Sequence, residues 1–188
     1  NAAAGQDTVT VDEAVLDVVG IACDGARRTG DAYDPTVLPL MKLYGFYGTD
    51  RSAPPRAREV DAALARMGAD EVSVDRAAHT LALRSEGAGL DLGSIGKGWA
   101  VDRAVEAIRA RGVRSGLVDL GGNVYGLGSP DDDAPGWSVG VFHPVTGQLS
   151  RVFVLHDTAV ATSGNCEQAR LLGAVRISGK LSSDKRSA

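Results

Sequence analysis

Cysteine is nearly absent from this sequence: Cys23 and Cys166 are the two thiols in 188 residues. Neither belongs to a Cys-x-x-Cys or Cys/His pattern, which excludes a structural zinc site of familiar spacing. They lie far apart in the sequence, and two separate thiols are the expectation, with a disulfide between them as the alternative. Long apolar runs are missing too, since no stretch reaches the roughly 18 apolar residues that a membrane-spanning helix needs. There is no excess of positive charge. The net charge is −4 and the pI about 5.3, so composition gives no electrostatic case for nucleic acid or an anionic membrane surface.

Several catalytic signatures are also lacking. The three histidines, His79, His143 and His156, are dispersed and show no HxxxH or HxH spacing, so they read as isolated surface or loop residues. Ser163 stands in Thr-Ser-Gly without a GxSxG elbow, which leaves little support for an acyl-transfer nucleophile. The dinucleotide fingerprint GxGxxG occurs nowhere. The chain begins at Asn1 with no initiator Met and no signal-peptide pattern, which is compatible with a processed, trimmed or fragmentary chain.

What is present suits one globular domain. The length allows a substantial core, and hydrophobic and charged shares of 44% and 23% are those of an ordinary soluble chain. Residues 10–29 predict a first helix. Ala14, Val15, Val18, Val19, Ala22, Cys23 and Ala26 recur at helical spacing, Thr10 and Glu13 have capping-box spacing, and Gly30 supplies the stop. Gly30 to Thr36 is a turn-rich loop carrying Asp31 and Asp34, with Pro35 biasing Asp34 towards extended backbone. An apolar run over 37–47, with Tyr44, Phe46 and Tyr47, leads to a polar, proline-containing loop over 48–56. A second helix is expected over 57–67, stopped by Gly68.

Val72, Val74, Leu81 and Leu83 alternate with polar residues and predict a hairpin closed by 75–79. A third helix follows Gly98 and runs to Arg111, with Gly112 as its stop. Leu117–Leu120 and Val124–Gly128 predict strand on either side of Gly121-Gly122-Asn123, where paired glycines suggest positive φ or close backbone approach to a ligand. Asp131–Asp133 reads as a solvated loop, and 137–142 with 151–156 as another hairpin across Thr146-Gly147. Helices interleaved with antiparallel hairpins predict an α+β single domain, a mixed antiparallel sheet with packed helices.

The stretch richest in chemistry is Asp91-Leu92-Gly93-Ser94-Ile95-Gly96-Lys97-Gly98-Trp99-Ala100-Val101-Asp102. Glycine-freed amides, a lysine and the start of a helix are what binding a phosphate group requires. It is not a Walker A loop, because Asp91 stands where the first glycine is needed and Gly98 where Ser or Thr is needed. Its residues alone leave two readings open: a phosphate- or nucleotide-binding turn, and a glycine-rich strand-to-helix connection with a solvated Lys97. Asp34 and Asp91 likewise read either as a magnesium- or ribose-binding pair or as two turn caps.

Taken in chain order, these segments resemble the ApbE-type FAD:protein FMN transferases. Gly30-Asp31-Ala32-Tyr33-Asp34-Pro35-Thr36-Val37 is similar to that family's G-G-A-F-D-P-T-V segment, and Pro39-Leu40 to Gly45-Phe46 to its P-L…W-G-F. The stretch Asp91 to Asp102 resembles D-L-G-A-I-A-K-G-Y-A-V-D. Asp119-Leu120-Gly121-Gly122-Asn123 resembles the N-L-G-G-N/D turn, Trp137–Val141 the W-x-V-G-I strand, and Ala161-Thr162-Ser163-Gly164 the A-T-S-G segment.

The resemblance implies an ApbE-like, T-fold-like core over 1–164, acting on FAD as substrate with Mg2+ as cofactor. It implies transfer of FMN from FAD to a threonine hydroxyl of an acceptor flavoprotein, with AMP leaving and no nucleic acid involved. By position it assigns FAD contacts to Ala32, Tyr33, Asp34, Asp91 and Lys97, and a backbone metal contact to Ser94. Thr162, Ser163 and Gly164 then line the flavin site. Family habit implies an extracytoplasmic location, periplasmic or lipoprotein, although no lipobox is visible. After Gly164 the resemblance stops: the H-I-I-D-P-x-T-G and A-D-A-x-A-T segments, the latter supplying metal-binding Asp and Thr, do not follow. A basic, serine-rich tail over 165–188 stands there instead, and the family's first strand is missing before Asn1. The expectation is therefore a core lacking the family's terminal parts. Its alternatives are a non-catalytic FAD-binding module or inactive fragment, and a magnesium-dependent hydrolase in which water replaces the threonine to give FMN and AMP.

Overall fold

Of the helical spacing read from Ala14 to Ala26, Val18, Val19, Ala22, Cys23 and Ala26 are buried on helix α1 (Glu13–Thr29); Leu16 joins them, while Ala14 is exposed and Val15 half-buried. The computed structural model describes residues 1–48, 51–143, 145–163, 169–172 and 175–178, the last two segments by backbone alone. Gly30 ends α1 in the left-handed conformation, its N–H reaching back to the Ala26 and Arg27 carbonyls, which is how a glycine satisfies otherwise orphaned carbonyls at a helix end. The other end departs from expectation. Thr10 does not cap the helix but lies in strand β1 (Val9–Thr10), and Asp12 takes the N-cap position without a side-chain bond. The reason is non-local: β1 pairs antiparallel with β3 (Thr80–Leu83) through Val9–Leu81 and Thr10–Thr80, which keeps the backbone extended there.

The chain divides into two compact units, one taking in Asn1–Leu92 and Glu167–Ala188, the other Gly93–Cys166. In the first, β2 (Val72–Asp75) pairs with β3 in the register Val72–Leu83 and Val74–Leu81, the hairpin expected from alternation, and the sheet order is β1-β3-β2. Helix α2 (Leu38–Leu43) buries Leu38, Leu40 and Met41, with a proline in its first turn where a missing N–H costs nothing. Helix α3 (Ala57–Leu64) is shorter than the 57–67 expected. Its last turn tightens: Arg66 and Met67 donate to the carbonyls three residues back, Ala63 and Leu64, before Gly68 turns away at φ 131. Cys23 is a free, buried thiol whose burial pushes its pKa up, which disfavours the thiolate; Cys166 lies outside the described residues.

The second unit holds α4 (Gly96–Ala110), β4 (Gly116–Leu120), β5 (Asn123–Leu127), β6 (Trp137–Phe142), β7 (Leu149–Leu155) and β8 (Thr158–Ala161). Strands β4, β5 and β8 form one antiparallel sheet with β5 central, and β6–β7 form a second. Val101 and Val105 of α4, Leu127 of β5 and Leu155 of β7 are its buried apolar residues. Trp137 Nε1 donates to the Leu127 carbonyl at 3.0 Å, tying the β6 hairpin to β5. Strands β9 (Ala169–Leu172) and β10 (Val175–Ser178) pair antiparallel within the stretch that the sequence marks as a tail. Helices with antiparallel sheets make this the α+β fold expected.

One surface ion pair gives a pH test. Asp157 sits at φ 50 and accepts the Gly128 N–H at 3.3 Å and an Arg109 guanidinium N–H at 2.6 Å. The Gly128 bond first, then Arg109, hold its carboxyl below the usual aspartate range. A depressed carboxylate pKa stabilises the fold above the unfolded value, about 3.9, and that contribution is lost as pH falls through the folded value. Asp157→Asn should therefore melt slightly below wild type at neutral pH, the gap being small because the pair is exposed. The gap should close below about pH 4 in a thermal-melt series; a gap that persists to about pH 2 would refute the ionic origin.

Candidate functional site

The residues singled out from the sequence fall into two groups, one in each unit. In the first unit, the chain leaves α1 through Gly30 and Asp31, both at positive φ. Thr29 Oγ1 accepts the Tyr33 N–H at 3.1 Å. The Tyr33 ring lies against Gly25 of α1, where an added Cβ would come within 3.2 Å of ring carbon Cδ1, so α1 carries a glycine where the ring packs. Ala32 is exposed. Asp34 Oδ1 accepts the Thr36 N–H at 2.8 Å and the Thr36 hydroxyl at 2.5 Å.

Asp91 is brought to this loop by its own backbone, whose N–H donates to the Pro35 carbonyl at 2.8 Å. Its Oδ2 accepts the Tyr47 hydroxyl at 2.9 Å. Burial pushes the Tyr47 pKa up, and the bond to Asp91 adds to the shift, because both favour the neutral phenol. The sequence marks Tyr47 only as one aromatic in an apolar run. Its role beside Asp91 has no local signal, since 44 residues separate the two.

In the second unit, α4 begins at Gly96, so Lys97 lies in its first turn, earlier than a helix starting after Gly98 would place it. That turn carries no acidic residue, and the N-cap Ile95 makes no side-chain bond. The leading N–H groups of such a turn have no intrahelical partner, and the helix dipole favours negative charge there. Lys97 Nζ donates to the Gly121 carbonyl at 3.1 Å, its single hydrogen bond among the described residues.

Gly121 and Gly122 adopt φ 56 and 84, the positive values expected of the paired glycines. Gly122 N–H donates to Asp119 Oδ1 at 3.0 Å. Its carbonyl accepts both the N–H and the hydroxyl of Thr162, at 3.1 and 3.2 Å. Lys97 and Thr162 are thus gathered on one glycine turn, stiffened by Asp119, a residue whose sequence context assigns it no such role. Ser94 and Ser163 are exposed, and Gly164 lies outside the described residues.

The donor set tests the implied metal. Among the described residues no group of three or more His, Cys, Asp or Glu side chains gathers as a metal site would require. Magnesium demands near-octahedral oxygen ligation, towards which a Ser94 carbonyl supplies one oxygen. The described residues do not by themselves make a magnesium site. Taken separately, the second unit offers positive charge at Lys97, chemistry suited to an anion, and the first offers the carboxylates of Asp34 and Asp91, acceptors for hydroxyl or N–H donors.

The sequence profile of the ApbE family matches residues 1–181. The chain belongs to the ApbE family. The match runs past Gly164, where the motif resemblance stops. The FAD:protein FMN transferase of Treponema pallidum is 35% identical over 182 residues, an alignment covering 89% of this chain and 50% of that protein. One from Klebsiella pneumoniae is 31% identical over 172 residues, with 89% and 51% covered. The crystal structure of the ApbE protein of Thermotoga maritima superposes with a TM-score of 0.83 at 32% identity, covering 94% of this chain and 57% of that one. Flavin transferase ApbE from Vibrio cholerae gives 0.74 at 27% identity, with 88% and 53% covered. This ApbE-family chain spans about half the length of the curated relatives it matches.

Proposed function

We propose that this ApbE-family chain is the flavin-nucleotide-binding part of an FAD:protein FMN transferase. FMN passes from FAD to a threonine hydroxyl of an acceptor flavoprotein, AMP leaves, and magnesium is required. One observation carries this reading: an acid-free, uncapped first turn of α4 holds Lys97 on the Gly121-Gly122 turn beside Thr162, in a chain whose curated relatives bear that activity in their names. In the proposed reaction the hydroxyl oxygen forms a bond to the FMN-side phosphorus. The bond to the bridging oxygen breaks, its electron pair leaves with AMP, and the hydroxyl proton passes to solvent.

Phosphoryl-type transfer asks the protein mainly for positioning and charge neutralisation. Lys97 and the α4 amides supply the charge, and Asp34 and Asp91 supply acceptors that orient the nucleotide. Ala32, Tyr33, Thr162, Ser163 and Gly164 belong to the same proposed FAD contacts. No step is assigned to magnesium, because the described residues do not complete its ligation. An extracytoplasmic location, periplasmic or lipoprotein, belongs to the reading through family habit alone.

Incubating the chain with FAD, magnesium and a threonine-bearing acceptor domain tests the proposal. In-gel flavin fluorescence on the acceptor is the expected result, abolished by chelating the metal. Release of FMN and AMP without labelling would replace the transferase by the hydrolase. Saturable FAD binding without turnover would leave a binding module.

A further inference from the structure

We propose that Thr36 is a positioning residue for Asp34, occupying one carboxylate oxygen so that the other is presented to a flavin nucleotide; the inference deepens the FAD reading above and rests on it. Thr36 is wholly buried, the polar side chain with 0% exposure among the described residues. A hydroxyl so placed has to be hydrogen-bonded, and here both of its roles are set by its neighbours. The Gly68 N–H donates to Thr36 Oγ1 at 2.7 Å. With that lone pair engaged, the hydroxyl proton is directed to Asp34 Oδ1, 2.5 Å away, and the Thr36 N–H reaches the same oxygen at 2.8 Å. Both hydrogen bonds that Asp34 receives among the described residues fall on Oδ1; Oδ2 receives none.

A loop aspartate that only closes its own turn needs nothing beyond the N–H two residues on. The hydroxyl relay to Gly68, 32 residues away in sequence, is a separate tie. It fixes the Asp34 rotamer from a second part of the unit. Pro35 between them is among the fully buried side chains, and its carbonyl holds the Asp91 N–H, so the backbone on which Asp34 rides is pinned as well. A carboxylate oxygen acting as acceptor pairs with a donor. The matching group on the nucleotide is therefore a hydroxyl or an N–H.

FAD affinity, read by titration with FAD itself below each variant's melting temperature, tests this. Thr36→Val removes the relay at nearly constant shape and should raise the Kd about tenfold, as loss of a hydrogen bond to a charged group does. Thr36→Ser keeps the hydroxyl and should restore binding to within about twofold of wild type. In an Asp34→Ala background, Thr36→Val should change the Kd no further, because its effect passes through Asp34. A purely structural role would lower the melting temperature of Thr36→Val and leave the affinity of its folded form unchanged. That result, or effects of Thr36→Val and Asp34→Ala that simply add, would overturn the assignment alone. A wild-type chain that binds no FAD would overturn the FAD reading and this assignment with it. Thr36→Ala serves as a second variant should the valine fail to fold; if neither folds, Thr36 is a structural residue and the proposal falls.

Discussion

Gly122→Val should abolish measurable FAD binding and lower the chain's stability by about 2–3 kcal/mol, the cost of holding a branched side chain in the left-handed region together with a local clash. Gly122 has φ 84, and a Cβ added there would stand 2.5 Å from Thr162 Oγ1. Relief requires Thr162 to change rotamer, which breaks its hydroxyl bond to the Gly122 carbonyl. Alternatively the turn itself shifts, and then the Gly122 N–H leaves Asp119 and the neighbouring Gly121 carbonyl moves under Lys97. Either way two proposed nucleotide contacts are disturbed by one substitution. Gly116→Ala is the matched control: nothing lies within 4 Å of a Cβ there and its φ is not positive, so both readouts should stay near wild type. Denaturant melts and FAD titration check the pair. A Gly122→Val chain that binds FAD like wild type would remove the Gly121-Gly122 turn from the site.

How much of the fold and site is legible in the sequence depends on the range of the interaction. The buried stripe of α1 can be read because its period is local and its end is marked by a glycine. The β2–β3 hairpin follows from alternation over a few residues. Positive φ at Gly121 and Gly122 follows from residue type, since glycine alone adopts it without strain. The Thr10 cap fails because β1 finds its partner about 70 residues away, and pairing overrides a local capping pattern. In the site, Lys97 and Thr162 both stand out by residue type, yet what gathers them is a carbonyl pair on one turn. Tyr47 beside Asp91 and Gly68 beside Thr36 carry no sequence signal at all, because each is a single hydrogen bond between distant loops. Residue type announces the chemistry; tertiary contact decides which oxygen and which amide perform it.

Lys97→Met is expected to weaken FAD binding by about 100-fold, near 2.7 kcal/mol, as loss of a charge-assisted contact to a phosphate would. Methionine retains an unbranched stem and removes only the ammonium. In the wild-type chain one ammonium N–H is engaged by the Gly121 carbonyl, leaving the other donors for an anion at the first turn of α4. That carbonyl works as a tether: it holds a flexible cation in place before the nucleotide arrives, which reduces the entropy lost on binding. Lys97 is exposed, so its loss should leave the melting temperature close to wild type, separating this variant from Gly122→Val. The charge also has a signature of its own. Wild-type affinity should fall as potassium chloride is raised, because screening weakens an exposed cation–phosphate contact, and Lys97→Met should show a shallower dependence. Lys97→Arg keeps the charge on a longer, planar head group and should recover part of the affinity and the salt response together. Unchanged affinity in Lys97→Met, or equal salt slopes in the two chains, would take Lys97 out of the nucleotide site and leave the α4 amides to hold the phosphates alone.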